Sequence, residues 1–354
     1  MYDLIISLPM VVCVSWLTFF LIRCFGEKTE RRVPCLLAGF FFAASVLYTN
    51  HWLFFSGHPS TVGEGMYFVA NLCVYPLYYA YLRALTRTKQ NWEIPVLLLP
   101  AGLVAVLYPL GWHFIFARLA FAVQVVWVLV RGYKLVWQTI RRMDNTYSDD
   151  RSRLLRPTHM LLIIFGVTSF VSMVLNALGR DYFAQETLVM IPAVLMTVLL
   201  YGLGYVAAHT MIPQETVEEE VTGDGLSVTG ETKDFASTEE TDELMTKIST
   251  ALREQKLYAD PRLTIQDLAI AVHSNRTYIS NCINRRTGLS FSQYIARYRV
   301  EKAQSILRDP QYTTDHEALS AAITQSGFTS EQTFYRVFKE ITDLTPVQFR
   351  HKKA

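Results

Sequence analysis

Charge is scarce in this sequence. Asp, Glu, Lys and Arg make up 18% of its 354 residues, hydrophobic residues make up 51%, and the mean hydropathy is +0.19. That balance is too apolar for an ordinary soluble protein. Cysteine is sparse too: Cys13, Cys24, Cys35, Cys73 and Cys282 form no CxxC and no Cys/His ligand spacing. We therefore expect no disulfide framework and no metal site, with the thiols serving as small apolar side chains. Phosphate-binding glycine loops, nucleophile elbows and paired-histidine metal motifs are missing. No enzyme and no cofactor is expected. The first apolar run lacks Lys or Arg at its amino end and leads to no small-x-small site, so it does not read as a cleaved signal peptide.

What is abundant is apolar sequence in long runs. A bilayer-spanning helix needs about 20 mostly apolar residues. Seven candidate stretches occur, roughly 4–24, 35–55, 65–82, 94–110, 113–130, 159–178 and 187–209. The fourth is the weakest, being short and carrying Pro95, Pro100 and Pro109. Connections on one side carry Arg23, Lys28, Arg31, Arg32, Arg83, Arg87, Lys89, Arg131, Lys134, Arg141, Arg142, Arg151, Arg153 and Arg156. The other side has only Arg118 and Arg180. Basic residues accumulate on the cytoplasmic side of spans. This imbalance puts the amino terminus outside and everything after residue 210 in the cytoplasm. Residues 1–210 are thus expected to form a seven-span domain in the cytoplasmic (inner) membrane, with lipid as its surroundings.

On the outer side of those spans lie Asn50, His51, His58, Glu64, His113, Arg118, Asp181 and Glu186. Ionisable groups at membrane depth are often functional. His51, Glu64, His113 and Arg118 are the candidate ligand-sensing residues, and Arg118 should seek a carboxylate such as Glu64, Asp181 or Glu186. The same residues also suit solvation at the membrane interface.

Residues 211–239 form the expected linker. From 213 to 240 nine acids stand against one base, with much Thr and Gly and few large apolar residues. Such composition cannot bury a core and predicts disorder.

Residues 241–354 reverse the balance, with sixteen bases to twelve acids. The third region, 240–354, carries two helix-turn-helix patterns in tandem. In the first, Thr264 caps a short helix with Ile265, Leu268, Ala269 and Val272 inward, and His273-Ser274 turns the chain. Asn275 or Ser274 caps a second helix that ends at Gly288. Ile279, Cys282 and Ile283 face inward there, leaving Arg276, Thr277, Ser280, Asn281 and Asn284 outward. A longer helix follows and stops at Pro310. The plan then repeats. A short helix covers about 316–325, Gly327 turns, Phe328 plugs the core, and Ser330 caps EQTFYRVFKEIT. Phe334, Val337 and Phe338 point inward, with Glu331, Gln332, Tyr335, Arg336 and Lys339 outward. Side chains of this kind on an outward helix face can bond base edges or phosphates.

Residues about 260–352 resemble the DNA-binding domain of AraC/XylS-type regulators. The resemblance rests on Leu268-Ala269, Tyr278-Ile279-Ser280, Gly288, Ser290-Phe291, Tyr294, Arg299 and Ala303. In the second unit it rests on Gly327-Phe328, Ser330, Phe334, Arg336, Phe338-Lys339, Thr345-Pro346 and Arg350. It implies double-stranded DNA as partner, control of transcription initiation and contact with RNA polymerase, and a homodimer is compatible with it. By position, Thr277, Ser280 and Asn281 resemble the base-contacting set of the first unit. Glu331, Gln332, Tyr335 and Arg336 resemble that of the second. Arg276, Arg285, Arg286, Lys339 and Arg350 suit phosphate. The sequence departs from the family's pattern at Ala322-Ile323, at Asn281, at Glu331, and at Asp343, where a glycine is usual.

The combined expectation is an all-α chain: a seven-span transmembrane helical bundle, a linker and a tandem helix-turn-helix domain. Its expected function is that of a membrane-integral transcriptional regulator. The alternative is a transporter or receptor whose cytoplasmic helical domain serves protein–protein signalling.

Overall fold

The chain makes helices wherever its apolar residues recur at helical spacing, and almost nothing else. The computed structural model describes residues 2–26, 31–86, 93–108, 113–149, 151–178, 186–209 and 238–352. Among these the only strand-like feature is an isolated antiparallel bridge between Tyr147 and Thr264. Two compact units result, Met1–Thr139 with Leu154–Pro213, and Ile140–Arg153 with Gln214–Ala354. The linker expected at 211–239 lies almost wholly outside the described residues.

The first unit is built from α1 (Tyr2–Gly26), α2 (Arg32–Phe55), α3 (Thr61–Leu85), α4 (Glu93–Leu107), most of α5 (His113–Thr146), α6 (Arg156–Leu178) and α7 (Glu186–His209). α1 packs on α2 and α7, α2 on α3, α3 on α4, and α6 on α7. Phe20, Leu37, Phe40, Phe41, Leu72, Tyr78, Tyr81 and Leu82 are fully enclosed. Leu4, Ile22, Val62, Val106, Val123, Ile191 and Val198 point outward. An apolar periphery around an aromatic interior is the arrangement that lipid surroundings favour, because water would penalise that outer surface.

Among the described residues, five helical stretches are long and apolar enough to cross a bilayer: Tyr2–Gly26, Arg32–Phe55, Phe116–Thr146, Arg156–Val174 and Val189–His209. α3 has the length but carries Glu64, Asn71 and five tyrosines, and its tyrosines are buried against neighbouring helices. α4 has only 15 residues. At 1.5 Å per residue that is about 22 Å, short of a hydrocarbon layer of about 30 Å.

Three features depart from expectation. First, Cys24 and Cys35 are joined by a disulfide across the α1–α2 connection. Sequence spacing without a motif gave no sign of it, although the two thiols lie near the facing ends of two packed helices. Second, Glu93 is a buried charge that the reading of the loops overlooked. Its carboxylate accepts from Arg83 (2.5 Å), Arg131 (2.7 Å) and the Tyr79 hydroxyl (2.8 Å). A buried carboxylate survives only with such partners. Third, α5 does not stop near residue 130. It runs unbroken for 34 residues, about 51 Å at 1.5 Å per residue.

The second unit holds α8 (Thr238–Glu254), α9 (Ile265–Ala271), α10 (Arg276–Thr287), α11 (Phe291–Leu307), α12 (Asp315–Gln325), α13 (Glu331–Thr342) and α14 (Pro346–His351). It has two cores. Leu244, Ile248 and Leu252 of α8 pack with Leu268 and Ala269 of α9, Ile279 and Ile283 of α10, and Phe291 and Ile295 at the start of α11. Val300, Ala303, Ile306 and Leu307 of α11 then pack with Ala318 and Ala322 of α12, Phe334 and Phe338 of α13, and Phe349 of α14. α11 is therefore a shared spine, its first half in one core and its second half in the other.

Local chemistry fixes the helix ends. Thr264, Ser290, Thr314 and Thr345 each cap a helix, and their own amides donate back to side-chain oxygens of Asp267, Gln293, Glu317 and Gln348. Gly288 ends α10 with φ +69°. Asp343 ends α13 with φ +58°, so the residue that replaces the usual glycine does adopt the left-handed backbone. Gly327 is constrained twice. Its φ is +80°, and a Cβ there would come within 2.6 Å of the carbonyl oxygens of Tyr258 and Ala259.

Candidate nucleic-acid interface

Two helices present the polar side chains singled out by sequence. On α10 the Asn275 side chain accepts from the Tyr278 amide at 2.8 Å, settling which of the two candidates caps this helix. With Ile279, Cys282 and Ile283 buried, Arg276, Thr277, Asn281 and Arg285 lie exposed, and Ser280 half-buried, on the remaining face. On α13 the Ser330 hydroxyl accepts from the Thr333 amide at 3.2 Å. Phe334 and Phe338 anchor the helix, stacking edge-on against Phe328 and Phe349 at 5.3 and 5.4 Å. Glu331, Gln332 and Lys339 are exposed. Arg336 is half-buried and pairs with Glu340 at 3.1 Å one turn on. Such an exposed pair is weak enough for a phosphate to replace it.

Three residues sit differently from their sequence reading. Tyr335 is half-buried against the second core, and burial, with the Glu331 and Asp315 carboxylates nearby, pushes its phenol up. Arg350 is turned inward. Its guanidinium donates to the carbonyls of Leu307 (3.3 Å) and Tyr312 (2.5 Å) and pairs with Asp315 at 2.9 Å. It ties α14 to the end of α11 and the start of α12, which uses up the donors a phosphate would need. Arg286 is held by Asp242 of α8.

Arg299 supports the first helix-turn-helix of the second unit. It is 2% exposed and donates to the carbonyls of Tyr258 (2.8 Å) and Asp260 (2.7 Å), the carbonyl of Ser148 (3.1 Å) and its hydroxyl (2.9 Å). Burial draws its pKa down to about 10, opposed by the Asp149 and Asp260 carboxylates.

Residues 140–153, which sequence reading left as a basic connection between spans, belong to this unit. The Ser148 amide donates to the Leu263 carbonyl at 3.1 Å, just before the Thr264 cap. Arg142, Asn145 and Thr146 face Ile265, Arg276, Thr277, Ser280 and Asn281 across a cleft of about 370 Å³. The unusual length of α5 was the only signal of this, and it is visible in sequence only if the helix is followed past its apolar stretch.

Among the proposed sensing residues, His51 reaches a cavity. It lines a space of about 240 Å³ in the first unit, with Tyr48, Tyr67, Asn71 and apolar residues of α1, α6 and α7. Arg118 is exposed and Glu64 half-buried, and neither is among its walls. The side chain of His113, and Asp181 altogether, lie outside the described residues. No group of three metal-ligating side chains occurs among those described.

Comparison with known proteins agrees with the geometry. Residues 268–352 match the family described as "Helix-turn-helix domain". Residues 268–352 are a helix-turn-helix domain of the AraC type. The chain is 34% identical over 91 residues to the melibiose operon regulatory protein of Escherichia coli, covering 26% of this chain and 28% of that protein. It is 31% identical over 94 residues to the HTH-type transcriptional regulator YtdP of Bacillus subtilis, covering 27% and 12%. It is 28% identical over 89 residues to the Msm operon regulatory protein of Streptococcus mutans, covering 25% and 30%. The match spans less than a third of each of these relatives. No solved structure matches the chain. The matched domain and the names of these relatives point to DNA binding by residues 268–352.

Proposed function

We propose that the whole chain is a membrane-integral transcriptional regulator. Its seven amino-terminal helices span the cytoplasmic membrane with the amino terminus outside, and its AraC-type domain reads double-stranded DNA in the cytoplasm. The carrying observation is that one chain joins an AraC-type domain to helices with exposed apolar faces. Fourteen basic residues on one side of those helices against two on the other support the orientation. α3 and α4 complete the seven, with the tyrosines of α3 shielded from lipid inside the bundle.

Thr277, Ser280 and Asn281 of α10 and Glu331, Gln332 and Arg336 of α13 contact bases, while Arg276, Arg285 and Lys339 hold phosphates. α11 spaces the two reading helices to address successive major-groove segments on one face of the duplex. The names of the relatives favour control of operon transcription, with RNA polymerase as a further partner and a homodimer as one assembly. The cavity beside His51 is where a signal is received.

The test is DNA binding by the full chain in lipid nanodiscs. Affinity for a labelled duplex falls steeply with salt, with a log–log slope of about −0.9 per phosphate contacted. Absence of salt-sensitive binding to any duplex, including the chain's own upstream sequence, contradicts the proposal.

A further inference from the structure

We infer that residues 140–153 are an intramolecular partner of the first reading helix, and that they compete with DNA for it. The inference rests on the reading of α10 as a base-contacting helix.

The contact is specific and uses both backbone and side chains. The Tyr147–Thr264 bridge and the Ser148 amide bond to Leu263 fasten the segment beside the cap of α9. Two of the donors of Arg299 are spent on Ser148. Tyr147, Ser148 and Ser152 are buried. Connecting segments usually run over the surface, so the burial of these three residues is unusual.

The position of the segment decides what it does. Arg142, Asn145 and Thr146 stand opposite Arg276, Thr277, Ser280 and Asn281, the side chains that must come within about 3 Å of base edges or phosphates. The gap between them is only about 370 Å³. A major groove receives a whole reading helix in a channel about 12 Å wide and 8.5 Å deep. Duplex DNA and the docked segment therefore cannot share this face. Because α5 is one uninterrupted helix, the segment is the direct continuation of a membrane-crossing stretch. A movement of α5 is thereby a means of releasing the first reading helix.

Ser148→Pro tests this in the full chain in nanodiscs. Proline has no amide hydrogen for Leu263 and no hydroxyl for Arg299, while Tyr258 and Asp260 still hold that guanidinium. The probe is a labelled random-sequence duplex of about 30 base pairs at low salt. If the closed form holds nine molecules in ten, the variant binds about tenfold more tightly. Hydrogen exchange on the wild-type chain gives a second readout that no folding defect can mimic. Saturating DNA should strip the Ser148 amide of protection. Equal or weaker binding by the variant, or a Ser148 amide still protected on DNA, overturns the inference and leaves DNA reading standing. Failure of both chains to bind duplex at low salt overturns the reading of α10 itself, and the inference with it.

Discussion

Lys339 and Gln332 stand one helix apart in role though they share α13. Both are exposed on its outward face. Lys339 near the carboxy end offers a point charge to a phosphate, whereas Gln332 near the amino end can bond adenine at two positions. Lys339→Ala should weaken binding alike for all sequences and reduce the salt slope by about 0.9. Gln332→Ala should leave the slope alone and cost about 1–3 kcal/mol of discrimination at one base pair. Binding isotherms across salt and across a set of single-base variants separate the two, and a shared signature would contradict the assignment. At this scale much was legible beforehand. The outward set on α10 followed from the buried positions Ile279, Cys282 and Ile283, because helical spacing leaves no freedom. Arg350 was misread for a physical reason. Its partners, the carbonyls of Leu307 and Tyr312 and the Asp315 carboxylate, lie some forty residues earlier, and no local pattern announces them.

At the scale of helices, caps decide where each element begins. Glu317 closes the capping box of α12, with bonds from the Thr314 amide and the Thr313 hydroxyl, both 3.2 Å. The Thr314 amide and hydroxyl, then Thr313, hold its carboxyl below the usual value of 4.5. Its folded pKa is depressed, so its contribution is present above the unfolded value and lost as pH falls through the folded one. Gln can close the same box without titrating. Glu317→Gln should therefore lose less stability than the wild type between about pH 5 and pH 3, read by thermal unfolding in acid. An acid loss equal to that of the wild type would contradict the role. The short helices were foreseeable because Thr264, Ser290, Thr314 and Thr345 each precede a matching Asp, Gln or Glu by three. The extent of α5 was not, since Arg131, Lys134, Arg141 and Arg142 mark the end of its apolar stretch without ending the helix. The orientation of the helices is checked by His58→Cys and Glu254→Cys in cells. A membrane-impermeant maleimide should label the first in intact cells and the second only after the membrane is opened, and the reverse order would contradict the proposed topology.

At the scale of the whole molecule, two kinds of surface are joined in one chain. The first unit has an apolar periphery, buried tyrosines and an interior ion network at Glu93. The second has two small cores strung on α11 and two capped helices with polar faces. Periodicity and loop charge foretold both surfaces, and the AraC-type domain was recognisable from its residues alone. Neither periodicity nor charge could foretell that residues 140–153 would fold with the second unit, since that pairing depends on Arg299, more than a hundred positions away. The central claim is that this chain reads specific DNA while embedded in the membrane. Mapping genomic occupancy of the full-length protein, crosslinked in the isolated membrane fraction, tests it most directly. The account predicts discrete chromosomal sites that disappear when the exposed faces of α10 and α13 are replaced by alanine. Membrane-fraction protein with no enriched site, or sites indifferent to those replacements, would contradict it.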